Sequence, residues 1–192
     1  QKIAVTLGGG FQSGLEFRLD HGNIGAFVPL PSFSPVVVMQ VPMRMFPFLG
    51  DAALPLDGDR FAAPVVSDAM PVEAAETLHV LLDLYNATDK LLVWRQTSPW
   101  LTLARDPDLM AGLLAARQPT PEQTEFHRMM VRGDTEALLR ESFLSARKIV
   151  ASDSTMGALG RAPDSGRTAL PPLLELLNHD PRGDGYRSRT DD

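Results

Sequence analysis

Leu170-Pro171-Pro172-Leu173-Leu174-Glu175-Leu176-Leu177-Asn178-His179 is the stretch on which the reading of the fold turns. An almost unbroken apolar run delivers Asn178 and His179, side by side, to its end. Both side chains carry donors and acceptors, which need partners if they are buried. A loop after a helix would accommodate them. Two polar groups aimed at a polar cofactor account better for so apolar an approach.

Working outward, residues 151–169 form a polar, glycine-rich loop, and residues 180–192 form a charged tail with little to bury. Upstream the chain reads as helix. Ala74, Leu78, Leu81, Leu82 and Tyr85 recur at helical spacing over residues 73–85. Asp106-Pro107-Asp108 is a cap followed by proline at the first helical position, opening a helix from Leu109 to Arg117. Thr120-Pro121-Glu122-Gln123 repeats the device, with Gln123 at the capping-box position. Asp134 caps a third helix, extended to Ser152, in which Leu138, Leu139, Phe143, Ala146, Ile149 and Val150 make one apolar stripe.

The first third reads as β. Lys2–Leu7 is a β-branched run, and Leu15–Leu19 alternates apolar with polar residues, the period of a half-buried strand. Asp20-His21-Gly22-Asn23 is turn chemistry, and Gly25–Val28 is a second short strand. Val36–Val41 is a third, nearly all apolar and so expected to be buried on both faces, and Pro42 ends it. Strands, inserted helices and a return to a buried segment make an α+β fold.

Composition sets the outer bounds. The chain has 192 residues, 44% hydrophobic and 22% charged, the range of an ordinary folded domain. It has no cysteine, which excludes disulfides, thiol nucleophiles and cysteine-ligated zinc. A net charge of −6 argues against a protein whose main task is coating nucleic acid. The apolar runs are too short to span a bilayer, so no membrane partner is expected. Gln1 in first position implies residues upstream, and an intracellular location is expected without a choice of compartment.

Several motifs have plainer explanations. Gly8-Gly9-Gly10 with Gly14 lacks the helix start and the Lys-Ser/Thr of a phosphate loop, and reads as a turn. Asp57-Gly58-Asp59 lacks the further ligands of a calcium loop and reads as a surface turn. Arg132-Gly133-Asp134 reads as a helix start, and Arg182-Gly183-Asp184 lies in the tail. His21, His79, His127 and His179 have no metal-ligand spacing, so no metal site is assigned. Trp94 and Trp100 read as anchors of a helical lobe. In the tail, Arg182, Arg187 and Arg189 offer a weak contact to RNA, against the plainer reading of a solvated tail.

Leu170-x-Pro172-x-x-Glu175-x-x-Asn178-His179 resembles the signature of SET-domain protein methyltransferases, in the Rubisco large-subunit lysine methyltransferase-like branch. There the pattern is Leu-x-Pro-x-x-Asp-x-x-Asn-His. Asn23-Ile24-Gly25-Ala26-Phe27-Val28 through Val41-Pro42 is similar to the branch's opening glycine turn and the strand ending in Val-Pro. Ser98-Pro99-Trp100 is similar to its Ser-x-Trp. The resemblance covers residues 15–181 and implies a SET-like domain of small twisted β-sheets with an inserted helical region. Its parts would be an N-terminal strand and glycine-rich turn (1–14), split SET strands (15–72), a helical insert (73–152), a return to the core (153–181) and a polar tail (182–192).

The resemblance further implies S-adenosylmethionine as cofactor, held by Asn178, by His179 and by the turn at Gly25, Ala26 and Phe27. Catalysis of that kind is mainly positioning among preorganised acceptors. Besides Glu175, which stands where Asp is usual, three positions depart from the family pattern. Asn23 and Ile24 stand where Gly-Arg is usual, and Ser152-Asp153 stands for a Ser-Arg whose cation pairs with the cofactor's carboxylate. Thirteen residues follow His179, fewer than the branch uses for its last strands and catalytic tyrosine. Tyr186 has no strand pattern around it, so the catalytic residue is left unassigned. Two readings follow. One is a degenerate SET domain serving as scaffold or binding subunit of a larger assembly, a ribonucleoprotein among the candidates. The other is an active protein-lysine (or histidine) N-methyltransferase of which the chain is an N-terminal portion.

Overall fold

Proline punctuates the helices of this chain. In the computed structural model, which describes residues 10–11, 15–20, 23–27, 39–116, 119–150 and 168–172, four of the six helices follow or begin with one. Helix α1 (Val72–Ala87) follows Pro71, whose carbonyl accepts from Ala75 N at 3.0 Å. After α2 (Lys90–Thr97), α3 begins at Pro99 and runs to Leu103. The ring of Pro99 bars helical geometry at the preceding residue. Ser98 is accordingly extended (ψ 125°), and what would be one helix becomes two.

Helix α4 (Pro107–Ala116) opens as expected, with Leu109 N donating to the Asp106 carboxylate at 3.2 Å. Helix α5 (Pro121–Arg132) carries the full capping box. Gln123 N donates to Thr120 Oγ1 at 3.2 Å, and Thr120 N donates to Gln123 Oε1 at 3.0 Å. Gly133, at φ 69°, ends α5 in the left-handed region that glycine adopts without a Cβ penalty. Asp134 then caps α6 (Thr135–Ser145) through Ala137 N at 3.0 Å. The capping expectations therefore hold in geometry.

The chain is α+β, with six helices and short antiparallel strand pairs among the described residues. It divides into two units: residues 1–51, 68–77 and 149–192, and residues 52–67 and 78–148. In the first, β1 (Gly10–Phe11) pairs with β4 (Met39–Gln40), and β2 (Glu16–Asp20) pairs with β3 (Asn23–Phe27). In the same unit β9 (Ile149–Val150) pairs with β10 (Thr168–Ala169). Its described core includes Leu15, Met45, Phe46, Pro47, Phe48, Met70, Ala74, Ala169 and Leu170.

The second unit is helical and carries a small ribbon. Strand β5 (Ala52–Ala53) pairs with β8 (Val65–Val66), and β6 (Leu56–Asp57) pairs with β7 (Arg60–Phe61). The inner pair turns through Gly58-Asp59 with Gly58 at φ 63°, as primed hairpin turns require. Helix α6 packs against α2, α3 and α5. Leu138, Leu139 and Phe143 on it are fully buried. Ala74, Leu78, Leu81, Leu82 and Tyr85 of α1 are all buried, as their spacing predicts. No helix among the described residues is long and apolar enough to cross a membrane.

One expectation is corrected. Helix α6 ends at Ser145 rather than Ser152, Ala146 is exposed, and Ile149–Val150 are strand. Arg147 N and Lys148 N both turn back to the Leu144 carbonyl, at 3.0 and 2.8 Å, and close the helix. The β-branched pair that follows suits the ladder with Thr168 and Ala169, two residues expected in the loop. Lys2–Leu7, residues 36–38 of the third expected strand, and the tail lie outside the described residues.

Candidate functional site

Of the residues singled out for the cofactor, Gly25, Ala26 and Phe27 fall in the first unit. They are consecutive residues of β3, opposite Arg18, Phe17 and Glu16 of β2. Asn23 and Ile24 are paired too, with Asp20 and Leu19, so residues 23–27 of the stretch compared with a glycine turn are strand, and Val28 lies outside the described residues. Asn178 and His179 lie outside the described residues, as do Ser152, Asp153 and Tyr186.

What is described is the approach to Asn178-His179. Leu170, Pro171 and Pro172 are buried. Leu170 N donates to the Pro47 carbonyl at 3.1 Å, and Ala169 bridges antiparallel to Phe48. The segment that opens the Asn-His stretch is thus tied to residues 47–48, which follow Val41-Pro42 by one short helical turn (Met43–Met45). Met45 N closes that turn on the Pro42 carbonyl at 3.0 Å. Proline suits both partners, because Pro47 has an acceptor to offer and Pro171 and Pro172 leave no N–H to satisfy.

Considered by itself, the helical unit holds the best-defined side-chain geometry. The Phe143 ring lies 5.1 Å from Tyr85, 5.5 Å from Phe61 and 6.3 Å from Trp94, mostly edge-on. The Arg147 guanidinium covers Phe143 at 3.7 Å from the ring centroid, with Trp94 at 5.3 Å and Tyr85 at 6.0 Å. It also donates to the Phe143 carbonyl at 3.1 Å. A cation over aromatic faces at a helix C-terminus is stabilised twice, by the rings and by the carbonyl end of the helix. Trp94 Nε1 donates to Ser142 Oγ at 3.0 Å. Trp100 packs on Phe126 at 4.9 Å. Both tryptophans therefore anchor the helical lobe.

Polar ties hold the ribbon and the helix ends. Asn86 meets the Phe61 backbone with both halves of its amide, accepting from N–H and donating to C=O at 2.8 Å each. Arg95 donates to the Asp59 carboxylate and to the Gly58 carbonyl. Glu122 Oε1 accepts from Lys148 Nζ at 2.6 Å and from Ser145 Oγ at 2.7 Å. The Lys148 hydrogen bond holds the Glu122 carboxyl below its ordinary value, against partial burial that pushes it up. Ser98 Oγ is buried with no hydrogen-bond partner.

These groups maintain the helical unit; none of them is a catalytic constellation. His79 and His127 are helix residues on α1 and α5. Among the described residues no group of three or more His, Asp or Glu side chains is placed to hold a metal ion. The Arg147 stack follows a signal the sequence does carry, Phe and Arg four residues apart, although Arg147 lies just past the end of α6. The Glu122–Lys148 pair, 26 residues apart, has no such signal. Scans against protein-family models and searches of curated proteins and solved structures found no match to the chain.

Proposed function

We propose that the chain is a SET-like domain related to S-adenosylmethionine-dependent protein-lysine (or histidine) N-methyltransferases. In this reading it is degenerate and serves as a scaffold or binding subunit of a larger assembly. The observation that carries the relationship is the Leu170-x-Pro172-x-x-Glu175-x-x-Asn178-His179 pattern. Its first residues are buried and hydrogen-bonded to the segment just after Val41-Pro42. The interruption of the first unit by a helical one is the connectivity that split SET strands with a helical insert would have.

The departures carry the degeneracy. Asn23 puts a side chain where the family's first glycine brings backbone close to the cofactor, and Ile24 replaces its arginine. Asp153 sets an anion where a cation would meet the cofactor's carboxylate. Losing that charge-assisted hydrogen bond costs roughly 1.5–3 kcal/mol before any repulsion. Two carboxylates facing each other then disfavour the ionised pair further.

The second reading, an active N-methyltransferase, is favoured by the intact Asn178-His179. Methyl transfer decides between them. The full chain is incubated with S-adenosylmethionine labelled on its methyl group and a mixture of cell proteins. The degenerate reading predicts no transfer above a heat-inactivated control. Transfer that disappears in Asn178→Ala would overturn it in favour of the enzyme.

A further inference from the structure

We draw no further inference here: the strongest candidate, the exposed apolar face of α4 formed by Leu109, Ala111, Gly112 and Ala115, carries nothing because no feature of the structure shows what covers it.

Discussion

Replacing Phe143 by alanine removes the ring around which the helical unit is built. Phe143 is fully buried and touches Phe61, Tyr85, Trp94 and the Arg147 guanidinium. Truncating a fully buried Phe costs about 3–5 kcal/mol, from lost transfer free energy and the cavity left behind. Each aromatic pair adds roughly 0.5–1.5 kcal/mol beyond area, but three pairs sharing one ring do not sum independently. The expected loss is therefore in the upper half of that range, about 4–5 kcal/mol. Both tryptophans of the chain, Trp94 and Trp100, lie in this unit, so urea unfolding followed by tryptophan fluorescence reports on it directly. At a urea slope of about 2 kcal/mol/M the midpoint falls by about 2 M. Phe143→Leu keeps most of the volume and loses the ring contacts, at about 1–2 kcal/mol. A loss below about 1.5 kcal/mol for the alanine variant would refute the central place given to this ring. No measurable loss for Phe143→Leu would show that ring geometry contributes nothing beyond volume.

The remaining predictions concern the polar ties. Asn86→Ala strands the N–H and C=O of buried Phe61 and should cost about 2–4 kcal/mol in the same urea assay, with less than about 1 kcal/mol counting against the assignment. Glu122 titrates below its unfolded value, so its tie to Lys148 stabilises fully above pH 4.5 and is lost as pH falls through the lowered folded value. With the Glu122 side chain 42% exposed, screening limits the effect to under ~1 kcal/mol. Wild type should lose more stability than Glu122→Gln between neutral pH and about pH 3, and identical acid losses would contradict this. Ser98→Ala removes a buried hydroxyl that has no partner, so stability should stay within about 0.5 kcal/mol or rise, and a loss above about 1 kcal/mol would reveal a bond that the structure lacks.

Local rules made the helix starts readable. Thr120, Asp134 and Asp106 act within three residues, so residue identity and spacing specify the bond. Periodicity found α1 because one face of it is buried along its length. The same periodicity overran α6, since Ala146, Ile149 and Val150 continue the stripe and only the backbone bonds to Leu144 reveal the stop. The ribbon at residues 52–66 escaped because two-residue strands are too short to show alternation. Its placement depends on Asn86 and Arg95, which are distant in sequence. Helices α2 and α3 escaped for a related reason. Leu91-Leu92-Val93-Trp94 is a block rather than a stripe, and Asp89 enters α2 from the left-handed region. Of the candidate site, the strand at Gly25–Phe27 was legible from its flanking turn residues. The burial of Leu170–Pro172 was legible from their apolar character, and their partner Pro47 was not.

Calorimetric titration with S-adenosylmethionine tests the central claim, a SET-like site whose cofactor contacts have been lost by substitution. Four forms of the chain are compared: wild type, Asn178→Ala, a restored form with Asn23→Gly, Ile24→Arg and Asp153→Arg, and that form with Asn178→Ala added. Wild type should show no saturable binding up to about millimolar cofactor. Regaining one charge-assisted hydrogen bond of roughly 1.5–3 kcal/mol raises affinity about 10- to 150-fold, which brings the restored form into the measurable range. That binding should vanish when Asn178→Ala is added. Saturable binding by the wild type that Asn178→Ala abolishes would contradict the degeneracy, and a restored form that stays silent would contradict the SET relationship itself.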